Sequence, residues 1–198
     1  EGPGMLMRAA LRQGRMAPWE RERDRCIVGA CYYLGLRAFE VGQLDVGDVR
    51  LEARRLRVRV QKGSQRAKHP KQPVMLYFGR RMAEALAAYL PTRQERWGAA
   101  FPILFPSRLG TRVSRTTVWA VVKRLARLAG LDEATIWPHK FRHALASHSF
   151  EAGLDAAAIQ KALRHESLAT TTVYSDTSQR RRAEAAEALD TLGGGGDA

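Results

Sequence analysis

Apolar residues recur with helical spacing after Pro18, where Ile27, Val28, Cys31, Tyr32 and Leu34 mark one core helix running up to Gly35. Proline suits a first helical position, because the amide it lacks would have no intrahelical partner there, and glycine suits the stop. A short second helix is predicted over 39–44. The period then changes. From 56 to 61, Leu56, Val58 and Val60 alternate with Arg57 and Arg59, the mark of a strand with one face inward and guanidinium groups on the other. Lys62, Gly63 and Ser64 break that strand and a second resumes over 73–77, giving a hairpin whose long loop is rich in Lys, Arg, Gln and Ser. Helical spacing returns over 80–90, and a segment containing Pro and Gly spans 99–113. Ser114 then caps a helix that ends at Gly130, with Val118, Val121, Val122, Leu125 and Leu128 as its core face. Four more helices are predicted over 140–151, 155–163, 167–174 and 178–189. The fold class expected is mainly α with a small antiparallel β-hairpin. Residues 1–17 show no clear periodicity and are expected to be an arm or linker remnant without a fold role; the Gly-rich 191–198 reads as a flexible tail.

Composition narrows the class. With 198 residues, 45% of them hydrophobic, the chain has enough apolar content for one domain, which excludes disorder over the whole length. No run of about 18 apolar residues exists and the N-terminus lacks the apolar core of a signal peptide, so a cytoplasmic protein is expected. Cys26 and Cys31, the two thiols, lie among apolar residues of the first helix and are expected to be buried and reduced.

Charge changes the picture more. The formal net charge is +13, and it is segregated: residues 53–83 hold ten basic and no acidic side chains, and residues 96–131 hold seven basic and none acidic. A basic surface of this kind suits a polyanion, because each neutralised phosphate releases condensed counterions. Nucleic acid is the expected partner. The candidate contacts are Arg57, Arg59, Arg66 and Lys68 on the hairpin, and Arg115, Lys123, Arg124 and Arg127 on the helix over 114–130.

His139 and Arg142 sit three apart at a predicted helix start and so share a face; the arginine offers a permanently charged planar fork suited to phosphate oxygens. His165 precedes Tyr174 by nine residues. Thr170, Thr171, Thr172 and Ser175 surround that tyrosine, which argues for an exposed hydroxyl rather than a core ring. His139 and His143 have the spacing of a zinc pair, yet no cysteine is near and no intervening glutamate fits a metalloprotease, so no metal is expected. The tyrosines at 32, 33, 77 and 89 and the tryptophans at 19, 97, 119 and 137 read as packing residues.

These segments together resemble the catalytic domain of the tyrosine recombinases, or phage integrases. "YYLGLRAFEVGQLDVGDV" is similar to the family's first arginine box, with Arg37 as the arginine and Glu40 three residues on. "VQKGSQR" is similar to the turn that carries its lysine, placing Lys62 there with Arg66 or Lys68 as alternatives. "HKFRH" matches the His-x-x-Arg box through His139 and Arg142, "LRH" supplies His165, and "TTVYS" supplies Tyr174. Arg164 stands where the family commonly has glycine. The resemblance implies the recombinase catalytic-domain fold over 18–190 and cleavage and rejoining of DNA through a 3′-phosphotyrosyl link, with no cofactor. Type IB topoisomerase-like relaxation and a noncatalytic DNA-binding module are the rival readings. It also implies a homotetramer on paired DNA sites, a monomer when isolated, and residence on the nucleoid when bound. Nothing before Pro18 reads as the separate DNA-clamping domain usual in the family, so a fragment or a reduced variant is expected.

The resemblance assigns roles that the chemistry asks for. Arg37 and Arg142 brace the negative charge that builds on the nonbridging oxygens of a five-coordinate phosphorus. A free tyrosine has a pKa of about 10, so Tyr174 needs a base, and His139 is the candidate. Lys62 protonates the departing 5′ oxygen, and His165 donates a hydrogen bond to a phosphate oxygen.

Overall fold

The computed structural model describes residues 2–59, 73–138, 140, 141, 144, 145 and 187. Helices α1 (Gly2–Leu11), α2 (Pro18–Tyr33), α3 (Ala38–Gly42), α4 (Arg80–Trp97) and α5 (Arg115–Leu128) surround a three-stranded antiparallel sheet of β1 (Val49–Arg50), β2 (Arg55–Val58) and β3 (Val74–Tyr77). A mainly helical fold with a small antiparallel sheet is what the sequence pattern predicts.

The first core helix is buried on all sides. From Cys26 to Tyr33 every residue of α2 is buried, and the small side chains of Gly29, Ala30 and the two cysteines let α1 and α4 pack against it. At its end Gly35 takes φ +56°, and the Leu36 amide donates to the Ala30 carbonyl at 3.2 Å.

The expectation that the N-terminal stretch has no fold role is corrected. Helix α1 packs on α2 and α5, and Leu6, Met7, Ala9 and Ala10 are buried. These four make a one-sided apolar pattern too short to register alone, and most helical stability comes from such tertiary packing rather than local propensity. Gln13, just past the helix, is also buried and donates to the Ala10 carbonyl at 3.1 Å.

In the sheet the predicted alternation holds: Leu56 and Val58 are buried while Arg57 and Arg59 are exposed. Leu56 faces Leu76 and Val58 faces Val74. Strand β1, two residues long, carries no pattern of its own and pairs Val49 with Leu56. The predicted helix over 80–90 continues through Pro91 to Trp97. Proline forfeits an intrahelical hydrogen bond, and tertiary contacts offset the loss. Arg93, 2% exposed, donates to the Ile103 carbonyl at 2.9 Å and the Phe101 carbonyl at 2.6 Å, and Trp97 lies edge-on to Trp19 and stacks on Phe101.

Helix α5 begins as expected, with the Ser114 hydroxyl accepting from the Thr117 amide at 3.0 Å. Val118, Val121, Val122 and Leu125 are buried, but Leu128 is exposed and Ala126 takes the inward place in that last stretch. Trp119, expected to pack, is 40% exposed. Beyond α5, Pro138, Lys140, Phe141, Ala144 and Leu145 are helical, and Phe141 packs edge-on against Tyr32 with centroids 6.4 Å apart. The helices predicted over 155–163 and 167–174, the tail over 191–198 and the hairpin loop lie outside the described residues. Of the helix predicted over 178–189 only Glu187 is described; it is helical and its carboxylate pairs with Arg54. Among the described residues no helix is long and apolar enough to cross a membrane.

Helix α3 is pinned where it crosses the start of α5, because a Cβ at Gly42 would collide with the Val113 carbonyl oxygen. Gly42→Ala is expected to lower stability in urea titration by about 1–3 kcal/mol, as overpacking does. Gly47→Ala, which would project into open space, is expected to change it by no more than about 0.5 kcal/mol.

Candidate active site

Arg37 occupies the N-cap of α3 in extended conformation. A helix start leaves amides without partners, and the residue at the cap normally supplies an oxygen for them. Arginine has no such oxygen. No side chain caps the first amides of α3 from position 37, and Glu40 serves a different donor, its Oε2 accepting from the Arg37 amide itself at 2.8 Å. Glu20 does the same for Ala17 at 3.2 Å, and Asp48 for Asp45 at 3.0 Å. The guanidinium of Arg37 projects half exposed, and its ion pair among the described residues is a loose 3.6 Å approach to Glu40. Phe39, on the same short helix, is 45% exposed beside it.

Three of the eight cations assigned to DNA, Arg57, Arg59 and Arg124, are held by two buried carboxylates. Asp48 has a fully buried side chain. Its Oδ1 accepts from Arg57 Nε at 2.8 Å, and its Oδ2 accepts from Arg59 Nη2 at 3.1 Å and from the Asp45 amide. Asp45 accepts from Arg59 at 2.6 Å and from Arg112 at 2.6 Å. Asp24, also fully buried, accepts from Arg23 at 2.9 Å and from Arg124, and Arg124 Nε donates to Gln13 at 2.8 Å. Leaving such an acceptor unpaired costs about 1–3 kcal/mol, so Arg57, Arg59 and Arg124 are tied to the protein. Arg127, by contrast, makes a surface pair with Glu133 at 2.8 Å with both partners exposed, an interaction worth at most about 1 kcal/mol and readily traded for a phosphate. Lys123 donates to the Glu133 carbonyl and lies within 6.0 Å of the rings of both Trp119 and Trp137. Arg115 is exposed.

Tyr32, Tyr89 and the two cysteine thiols are poor nucleophiles. Burial pushes Tyr32 up to about 12 and raises Tyr89 further, its hydroxyl donating to the Leu104 carbonyl at 2.7 Å. Burial likewise pushes the Cys31 thiol up to about 12 and holds Cys26 well above its ordinary value, so neither forms thiolate at neutral pH. Among the described residues no cluster of three or more His, Cys, Asp or Glu side chains suits a metal ion. Lys62, Arg66, Lys68, His139, Arg142, His165 and Tyr174 lie outside the described residues. Phe141, which stands between His139 and Arg142 in sequence, is helical and buried edge-on to Tyr32 of α2, the helix that leads into Arg37.

The sequence profile of the Phage integrase family matches residues 10–181. The chain belongs to the phage integrase family. The tyrosine recombinase XerC of Chromohalobacter salexigens is 38% identical over 163 residues, covering 82% of this chain and 51% of that protein. Among solved structures, XerA recombinase superposes with a TM-score of 0.69 at 26% identity, covering 91% of this chain and 61% of that one. The integrase of mycobacterium phage Brujita gives 0.67 at 25% identity, with 94% and 56% covered. The chain spans about half the length of the curated relatives it matches. In this phage integrase family member Glu40 holds the Arg37 amide while the Arg37 guanidinium projects from the same turn.

Sequence reading missed the carboxylate ties. A signal was present, since Asp45 and Asp48 sit three apart just before the arginine-rich strand, but strand alternation alone assigns those arginines to solvent. Burial pushes the Asp45 carboxyl up, yet hydrogen bonds from Arg112 and Arg59 outweigh it and hold it below its ordinary value. A carboxyl lowered on folding contributes stability above its unfolded value of about 3.9, and the contribution disappears as pH falls through the lower folded value. In urea titrations from pH 7 to 2.5, the stability advantage of wild type over Asp45→Asn is therefore expected to hold above about pH 4.5 and to shrink below it.

Proposed function

We propose that this chain cuts and rejoins double-stranded DNA at specific sites through a 3′-phosphotyrosyl intermediate on Tyr174. The observation that carries the reading is that the family match over residues 10–181 contains Arg37, Lys62, His139, Arg142, His165 and Tyr174 in order. The name of the XerC relative, a tyrosine recombinase, supports the same chemistry, and the projecting guanidinium of Arg37 suits a phosphate ligand.

In this reading the phenolic oxygen of Tyr174, its proton taken by His139, attacks the scissile phosphorus. Arg37 and Arg142 hold the nonbridging oxygens as charge builds, and His165 adds a hydrogen bond. The bond to the 5′ oxygen breaks as Lys62 delivers a proton to it. The new phosphodiester keeps the energy of the broken one, so a 5′ hydroxyl reverses the step without a nucleotide or a metal. The working assembly is a homotetramer on two sites, with DNA gripped by Arg115, Arg127, Arg66 and Lys68.

A library of nicked suicide duplexes, in which the 5′ product diffuses away, is expected to trap a covalent adduct that survives denaturation and maps to Tyr174. Tyr174→Phe is expected to abolish it. Arg37→Ala is expected to slow adduct formation by about 10²- to 10³-fold with little change in thermal stability, since that side chain is half exposed. An adduct persisting in Tyr174→Phe overturns the assignment. DNA binding without any adduct in wild type points to a noncatalytic binding module, and relaxation of supercoils without paired-site exchange points to a topoisomerase.

A further inference from the structure

Three helices bring arginines to one cavity whose residues the proposed reaction does not use. It has a volume of about 250 Å³ and is lined by Arg8 of α1, Arg25 of α2 and Arg80 and Arg81 of α4, with Glu84 the acidic residue among them. The packing on α2 explains the convergence. A Cβ at Gly29 would collide with the Met82 sulfur and touch Met7, so glycine there lets both buried methionines close over α2. Arg8 follows one of them and Arg81 precedes the other, which carries arginines of α1 and α4 to the same cavity. The neighbouring carboxylates hold them weakly. Arg25 meets Glu22 at 3.4 Å and the exposed Arg80 meets the exposed Glu84 at 3.7 Å, loose pairs of the kind that water and salt readily replace. Arg8 is exposed and has no carboxylate in pairing range among the described residues. Helix α4 starts beside the cavity with no acidic residue in its first turn and no side chain capping it, so its dipole adds to the arginines instead of offsetting them.

We propose that this cavity between α1, α2 and α4 is a phosphate-binding site, taking a phosphate group of the DNA backbone or of a free phosphate-bearing molecule. Guanidinium forks drawn from three helices need an acceptor whose oxygens face several directions. A tetrahedral phosphate offers that, whereas a carboxylate presents its two oxygens in one plane. The space is well above what one water needs, and Met7 and Leu11 on the α1 side add apolar surface with no charge to oppose an anion. Gathering like charges without a ligand works against the compact state, so a bound anion here also serves as their counter-charge.

Inorganic tripolyphosphate, titrated by calorimetry into the full chain, probes for a free ligand, and the salt dependence of duplex binding probes for a backbone phosphate. Neither measurement needs cleavage, so the result stands apart from the fate of the Tyr174 assignment. Both are made on wild type, Arg8→Gln, Arg80→Gln, Arg37→Ala and Arg96→Gln, the last an exposed α4 arginine outside the cavity lining. Wild type is expected to bind one tripolyphosphate and to melt at a higher temperature in its presence. Arg8→Gln and Arg80→Gln are each expected to weaken that binding by about 10- to 100-fold and, without ligand, to melt no lower than wild type. Both side chains are exposed, and a folding failure of either variant leaves the other to decide. Arg96→Gln is expected to keep the binding. Tripolyphosphate binding lost with an unchanged salt slope assigns the cavity to a free ligand. A slope reduced by about one in each cavity variant, with or without tripolyphosphate binding, assigns it to a DNA phosphate. Cavity variants that match wild type in both measurements overturn the proposal. So does tripolyphosphate binding that falls in Arg37→Ala and not in the cavity variants, which places the anion at the active-site arginine.

Discussion

Burying a carboxylate obliges the protein to supply its counter-charge, and much of this structure follows from doing so twice. Asp24 and Asp48 are both withdrawn from solvent, and each is satisfied by two arginines from a strongly basic chain. Around Asp24 the pairing joins α2 to α5, and through Gln13 it secures the segment after α1. Around Asp48 it joins the sheet to the turn after α3. Had these positions been apolar, the same arginines would be surplus surface charge. As built, they are fasteners, and the net charge overstates the cations left for a nucleic acid.

How legible this was in the sequence depended on the range of the interaction. Helix α2, the Ser114 cap and the Leu56, Val58 alternation are governed by spacing within a few residues, and the chain displays them openly. The role of α1 is not local: Leu6, Met7, Ala9 and Ala10 make an unremarkable apolar group until α2 and α5 supply the surface they cover. The same holds for the continuation of α4 past Pro91, where a local penalty is overruled by Arg93 and the Trp19, Trp97, Phe101 stack. Leu128 and Trp119 err in the opposite direction: helical periodicity put Leu128 on the core face and Trp119 was read as a packing residue, but among the described residues both are exposed.

The candidate site divides along the same line. Its residues were read from the short motifs that resemble the tyrosine recombinases, and of these Arg37 alone lies among the described residues. Which arginines were spare was not legible, because a guanidinium on a strand looks alike whether it meets solvent, phosphate or an aspartate fourteen residues earlier in the chain, as Arg59 meets Asp45. Arg37 is the instructive contrast. It is a half-exposed cation, and what Glu40 holds at that position is the backbone amide.

That arrangement has a functional corollary. Because α3 is held by the Glu40 and Gly42 contacts while position 37 contributes a projecting group, a substitution at position 37 removes a cation without touching those contacts. Under the proposed reaction, such a substitution separates occupying a DNA site from cutting it.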